Sequence, residues 1–588
     1  MPTITINGKT CSFDAAKPGQ PPKMILQVAN DNGVEIPQYC YHDGLSIVAS
    51  CRICLVEIHA PDPKTGKITP FMGGKLMPSC QTPAADGMIV YADSPKAAQN
   101  QKAVMEYLLI NHPLDCPVCD QAGECFLQDY SYQYGRGVSR FEEQKVKQPK
   151  KDLGPTILLY SDRCIMCSRC VRFTREVSGT NELMVLGRGN RSEIDVFPGK
   201  PLDNPLAGNV TDLCPVGALE DKDFLFQQRV WFLKETPSID PLTASGDNIS
   251  IHHNEGKIYR VRPRTNAAVN KWWITDEVRY GWKFVHLEDR LTTPMRRQHG
   301  LLVESDWTRA EENAIEGLRA GAKNGRHLAV VVSPMLPCEE AFALAEMARA
   351  IDPGAHLYVG HVPMAGEDRV FPPNLKRDDP KAFVQYAEKA PNARGVKRVL
   401  DAVSGLSIGG HEEFVKGLLH GSFGAVLMTR NYPGFWLDDR IARETDRGQR
   451  SMSEGGMRPF LVLVDTLSSP LVDQVDVVLP SATFAEKSGS YENARGMIQA
   501  FAQAIPVLEN ARTEGQIAMD LIALTREMAG LPAGTPARAA IDPHAGRFDT
   551  SKVRAEMAKR SPSLAPFANL SIPESQAKRQ PDMAVVEL

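Results

Sequence analysis

After residue 214 this chain contains a single cysteine, Cys338, although the other twelve of its thirteen all come before that point. A disulfide framework is excluded for so large a chain without an export signal, because such frameworks belong to small secreted domains. The chain also lacks long apolar runs: Leu328–Val332 and Phe460–Val464 are only strand-length, against the roughly 18 residues that a membrane crossing needs. It lacks a basic surplus, with a formal net charge of −4, so nothing in its charge argues for nucleic acid or an anionic membrane surface as its main partner. It lacks a leader as well, since Met-Pro-Thr-Ile-Thr-Ile-Asn-Gly enters a strand pattern at once; the expectation is a soluble cytoplasmic protein. No Gly-rich dinucleotide fingerprint with a following acidic residue stands out. What remains is 588 residues of ordinary globular composition, room for roughly three or four domains of about 150 residues.

The clustered thiols read as metal ligands, and one stretch organises them. From Asn111 to Cys125, His112, Cys116, Cys119 and Cys125 stand at H-x3-C-x2-C-x5-C spacing, with Pro113, Pro117 and Gly123 between them. A short loop of this kind brings four donors to one place, as an iron–sulfur cluster or a zinc ion requires. Ser94-Pro95 predicts a helix start, and the apolar spacing runs on to Ile110. Pro113 biases His112 away from helical backbone, which sets its imidazole at the helix end. A satisfied core histidine is the bland reading, but the three thiols leave a cluster one ligand short.

Two further sets flank it. Cys40, Cys51, Cys54 and Cys80 are spaced C-x10-C-x2-C-x25-C within a β-rich segment, residues 1–93, that opens on an Asn7-Gly8 hairpin signal. Four thiolates from a loop and one remote position suit a [2Fe–2S] cluster, although the first gap is longer than in plant-type ferredoxins. Small or flexible residues at Gly44, Ala49 and Ser50 allow backbone N–H groups to approach the sulfurs. Cys164, Cys167 and Cys170 form the C-x2-C-x2-C run of bacterial ferredoxins, specific for [4Fe–4S]. The usual fourth position is Thr174, and the Cys-Pro pair appears later as Cys214-Pro215. Cys214 could complete this set or cross to the Cys116 set. Giving it to Cys164, Cys167 and Cys170, and His112 to the other, closes both sets of four. Cys11 and Cys338 are left as plain buried thiols. Phe141–Gly154, with Lys145, Lys147, Lys150 and Lys151, reads as a solvated linker. Arg163, Arg169, Arg172 and Arg175 either offset cluster charge or form a solvated helix face.

These motifs, Asn111–Gln121, Gly123–Asp129, Arg163–Phe173 and Cys214–Leu219, together resemble the large iron–sulfur subunit family of respiratory complex I, over the first 225 residues. The resemblance implies one [2Fe–2S] and two [4Fe–4S] clusters, one of them His-ligated. It implies a role relaying electrons from the NADH-oxidising flavin subunit toward quinone. It also implies peripheral-arm partners (a flavin/NADH-binding subunit, a 2Fe–2S subunit, quinone-module subunits) on the cytoplasmic face of a bacterial inner membrane, and no catalytic residues in this chain.

The implied architecture is α/β and multidomain. A β-grasp 2Fe–2S ferredoxin-like domain (1–93) precedes a 4Fe–4S domain with one histidine and three cysteine ligands (94–145) and a 4Fe–4S ferredoxin-like domain (146–230). A degenerate molybdopterin-oxidoreductase-like, doubly wound α/β domain (231–530) and an extended tail (531–588) follow. Strands over His327–Val332, Ala425–Thr429, Phe460–Asp465 and Asp476–Leu479, with helices over Glu339–Ala350, Gly395–Val403 and His411–Leu419, suit that reading. The similarity to that fold extends over Phe484–Asn493. Where some relatives carry four further cluster cysteines, Glu235–Gly246 has none, so neither that cluster nor molybdopterin is expected. A formate dehydrogenase or an iron-only hydrogenase would need cysteines that the back half lacks. The small subunit of an NAD-reducing hydrogenase would not carry so large a scaffold.

Overall fold

Asn7 and Gly8 close the first hairpin because both take the left-handed backbone that a tight turn needs, with φ of 47° and 80°. Strands Thr3–Ile6 and Lys9–Ser12 flank this turn. Ile89–Tyr91 runs parallel to the first of them and antiparallel to Leu55–Pro61. Helix Ile25–Asp31 lays Ile25, Leu26, Val28 and Ala29 on this sheet, in one core with Ile4, Ile6, Val56, Ile58 and Val90. The Pro61–Gly74 insertion folds back as a short strand, Ile68–Pro70. The computed structural model describes residues 1–323, 325–433, 458–530 and 546–574.

Ser94 caps helix Pro95–Leu109, its hydroxyl accepting from the Ala97 N–H at 3.3 Å, and Pro95 fills the first position where no N–H is needed. The lysine-rich linker departs from expectation at its end. Lys150–Asp152 is an edge strand on Ile157–Tyr160, and Lys151 pairs with Asp195 at 2.5 Å and Glu193 at 2.9 Å. Charge on an edge strand also guards it against pairing with another chain.

The back half begins with a three-stranded antiparallel sheet, Lys234–Ile239, Asn248–Asn254 and Lys257–Pro263. A seven-stranded sheet follows. Its five parallel strands lie in the order His356–Val359, His327–Val332, Phe423–Thr429, Phe460–Asp465, Val477–Pro480. Numbered along the chain this is 2-1-3-4-5, a doubly wound order. Successive side chains of a strand point to opposite faces. Leu328, Val330 and Val332 therefore meet helices Trp307–Gly321, Cys338–Ile351, Ala393–Ser404 and Glu514–Met528 on one face, while Ala329 and Val331 meet helix His411–Leu419 on the other.

The C-terminal region is not an extended tail throughout. Within 546–574, Asp549 caps helix Thr550–Arg560, and Val553, Met557, Leu564 and Phe567 are buried in the main core. Residues 531–545 and 575–588 of the expected tail lie outside the described residues. Among the described residues no helix is long and apolar enough to cross a membrane.

Candidate functional site

The first set of thiols is drawn together in two pairs. Cys40 is hydrogen-bonded to Cys51 and Cys54 to Cys80, and the hydrogen bond in each pair holds Cys40 and Cys54 below the usual thiol range. Burial opposes both shifts. Cys40 also receives backbone N–H groups from Ser50 and Cys51. Ala49 and Arg52 stand at φ of 51° and 61°, which turns the loop back on the sulfurs. The four side chains feel one another's charge, so they form one site. Four thiols held close together suit a binuclear iron–sulfur centre as a donor set.

Cys164, Cys167, Cys170 and Cys214 line a single small cavity, walled by Leu159, Ile165, Ile194, Val216, Ala218 and Leu219. The loop is shaped by left-handed backbone at Met166 and Ser168, with φ of 53° and 59°. The Met166 N–H points at Cys164 Sγ, 3.4 Å away. Cys214 receives N–H groups from Val216 and Leu219. Burial pushes all four thiols up. Thiolates in an apolar cavity need a positive centre beside them, and iron provides it, so this donor set fits a cluster.

Around the Cys116 loop, Cys119 and Cys125 are buried and Cys116 is exposed. Cys125 receives N–H groups from Leu127 and Gln128. Burial and the charges of Arg163 and Lys145 hold His112 down to about 4, so its imidazole is neutral near pH 7, the form that can bind a metal. Cys119 Sγ lies 3.6 Å from Glu220 Oε1. Burial pushes that carboxyl up to about 8. Among the described residues no three His, Cys, Asp or Glu side chains converge to grip a single ion.

The Cys164 set, last along the chain, is bonded to both others. Phe126, the neighbour of Cys125, donates its N–H to Pro215 O at 3.0 Å. Arg163 reaches Asp115 at 2.9 Å, Gly217 O at 3.3 Å and Glu220 at 3.4 Å. Its guanidinium lies 3.8 Å over the Tyr160 ring. Arg172 donates to Cys40 O at 2.5 Å and Cys167 O at 3.3 Å. Arg169 donates to Tyr41 O and, at 3.1 Å, to Leu213 O. Arg163, Arg169 and Arg172 are therefore buried, which overturns the solvated-face reading for these three. Only Arg175 keeps an exposed side chain.

The scaffold grips the same loops. Arg260 and Arg262 pair with Glu124 at 2.8 and 2.9 Å, and Arg262 and Arg279 with Asp212. None of these contacts has a local motif; each joins residues distant in the chain. In the cysteine-free stretch 235–246, Asp240 accepts from Leu242 N at 2.8 Å, Ser245 Oγ at 2.7 Å and Thr243. Cys338 is buried against Asn392, at 3.3 Å from its Nδ2, and Cys11 faces Lys9 O at 3.5 Å.

Family models match in series along the chain. They are a 2Fe-2S iron-sulfur cluster binding domain (1–95), the NADH-ubiquinone oxidoreductase-G iron-sulfur binding region (101–140) and the NADH-quinone oxidoreductase subunit 3 ferredoxin-like domain (154–220). An NADH-ubiquinone oxidoreductase NDSU1/NuoG-like 4Fe-4S domain (233–283) and molybdopterin oxidoreductase (421–524) follow. The fourth match contains no cysteine in this chain. The NADH-quinone oxidoreductase G subunit of Rickettsia felis is 37% identical over 321 residues, 54% of this chain and 46% of that protein. The mitochondrial NADH-ubiquinone oxidoreductase 78 kDa subunit of Neurospora crassa is 37% identical over 368 residues, 62% of this chain and 47% of that protein. The matched part thus spans about half the length of these relatives. A solved chain of an NAD+-reducing [NiFe]-hydrogenase in the H2-reduced state is 28% identical, covering 39% of this chain and 91% of that one with a TM-score of 0.33. The serial order of the iron–sulfur domains, and the relatives that share it, are those of the G-subunit family of NADH-quinone oxidoreductases, to which this chain is similar.

Proposed function

We propose that the chain is an electron-transfer subunit of an NADH:quinone oxidoreductase, relaying electrons from an NADH-oxidising flavin subunit toward quinone. Cys40, Cys51, Cys54 and Cys80 would hold a [2Fe–2S] cluster. His112, Cys116, Cys119 and Cys125 would hold one [4Fe–4S] cluster, and Cys164, Cys167, Cys170 and Cys214 the other. The observation that carries the reading is that the Cys164 set meets each of the other two: one arginine nitrogen bridges the carbonyls of Cys40 and Cys167, and Gly217, in the turn after Cys214, packs on Cys119.

Bound clusters would supply one-electron redox chemistry with little change of shape. The chain's own residues do the rest. Backbone N–H groups aimed at sulfur stabilise negative charge, apolar walls keep water out, and buried guanidinium groups favour the reduced form. The side of Cys116 faces outward. Leu114, Val118, Phe226, Trp231 and Phe232 are exposed around it, and Arg229 ties their two segments together by donating to Cys119 O at 2.8 Å. Such an apolar patch suits a partner subunit, which we assign to the quinone module; the flavin/NADH-binding and 2Fe–2S subunits would complete the peripheral arm, on the cytoplasmic face of the membrane. The scaffold is assigned no pterin, because Cys338 is held by Asn392 and no other cysteine follows residue 214.

Iron and acid-labile sulfide analysis with EPR of the reduced protein tests the proposal. One binuclear and two tetranuclear signals are expected; a preparation holding zinc alone overturns it. His112→Ala should perturb the Cys116 signal and spare the Cys164 signal. If Cys214→Ala removes the Cys116 signal instead, the ligand pairing is wrong. The pure chain should not turn over NADH.

A further inference from the structure

Helix Arg169–Glu176 places Arg169, Arg172 and Glu176 at i, i+3 and i+7, on one face of its turns. All three bind the segment from Cys40 to Ser46. Arg169 donates to Tyr41 O. Arg172 donates to Cys40 O through Nη2 and to Ser46 O through Nη1, both at 2.5 Å. Glu176 accepts from Ser46 N at 2.8 Å and Ser46 Oγ at 2.6 Å. Each arginine also turns back to the Cys164 set: Arg169 to Leu213 O, beside Cys214, and Arg172 to Cys167 O. The same pattern thus occurs twice, with one guanidinium shared between the backbone of two ligand sets. Among the described residues the Nε of both arginines is buried without a hydrogen-bond partner. A charged donor left so is costly unless an anion lies nearby.

From this geometry we infer that Arg172 is a positioning residue for electron transfer between the first and third centres. Its rigid fork fixes the Cys40 and Cys167 backbones on one nitrogen, and so sets the gap that an electron crosses. Its permanent positive charge, 3% exposed, lies between two sites whose clusters would be anionic, and it raises the reduction potential of both together. The inference rests on the cluster assignment proposed above.

The test is EPR-monitored redox titration of the cluster-loaded full chain for the midpoints, with rapid-freeze EPR for the rate of transfer between the two centres. Arg172→Gln should lower the midpoints of the binuclear signal and of the Cys164-set signal, and leave the Cys116-set signal in place. Arg172→Lys, which keeps the charge but not the fork, should restore most of the midpoints while slowing transfer between the two centres. Glu176→Gln loosens the same interface without removing positive charge, so it should lower neither midpoint. If Arg172→Gln retains its iron with both midpoints unmoved, or if Glu176→Gln lowers them equally, the inference falls. Where Arg172→Gln fails to load clusters, Arg172→Lys decides: transfer between the two centres as fast as in the parent overturns it. Absence of iron–sulfur signals from the parent chain would instead overturn the cluster assignment.

Discussion

A methyl group added to Gly217 would lie 2.2 Å from Cys119 Sγ, and 2.8 Å from Glu220 Oε1. No van der Waals contact is that short, so the Cys214-Pro215-Val216-Gly217 turn leaves no room for a side chain where it meets the Cys116 loop. Gly217→Ala should therefore displace Cys119. The expected outcome is loss or broadening of the Cys116-set EPR signal, with the binuclear signal unchanged and iron reduced by up to one cluster per chain.

Lys487 sits in the scaffold's core between Glu340, at 2.9 Å, and Glu514, at 2.5 Å, and all three are buried. Removing one partner of a buried pair leaves an uncompensated charge, which costs about 3–5 kcal/mol. Lys487→Met should lower the denaturant midpoint accordingly, and adding Glu340→Gln should recover part of the loss. The iron content should not change in either variant.

Burial pushes the Asp240 carboxyl up to about 6, against the hydrogen bonds from Thr243, Leu242 and Ser245. The folded state then holds this proton to higher pH than the unfolded chain, whose carboxyl titrates near about 3.9. The stabilising contribution is complete below that value and is lost as pH rises through 6. Asp240→Asn cannot titrate. Its stability relative to the parent should improve by about 2–3 kcal/mol between pH 4 and pH 7, read from thermal or denaturant unfolding at each pH.

Cys338→Ala should keep the full iron complement and cost about 1–2 kcal/mol of stability, as a small core substitution does. Cys214→Ala should remove the Cys164-set signal. Parallel iron assays on the two variants check this contrast between a core thiol and a ligand.

Local chemistry was readable wherever the residues concerned are neighbours. The Asn7-Gly8 turn, the Ser94 cap and the run of Cys164, Cys167 and Cys170 each act within a few residues, and the structure brings these three thiols and Cys214 to one cavity. Arg169 and Arg172 were ambiguous for the opposite reason. Their acceptors Tyr41 O and Cys40 O lie 128 and 132 positions away, and nothing in an arginine-rich octapeptide shows that its charges point inward. Composition misled at the C-terminus, where an Ala-, Pro- and Lys-rich stretch hid the i, i+4 pair Val553 and Met557 that anchors a helix. The lysines of the linker likewise concealed the edge strand Lys150–Asp152.

The turn after Cys214 provides the fourth thiol of the last set and the surface on which Cys119 rests, while Pro215 accepts the N–H that follows Cys125. A nascent chain that has emerged only as far as Cys170 holds eleven of the thirteen cysteines, yet the Cys164 cavity still lacks Cys214, Val216, Ala218 and Leu219, and Cys119 still lacks Gly217. Ribosomal synthesis must pass residue 217 before either can close. Under the proposed ligand assignment these two sites would be completed late in synthesis, whereas the hairpin domain that carries Cys40 and Cys80 has all its own thiols well before then.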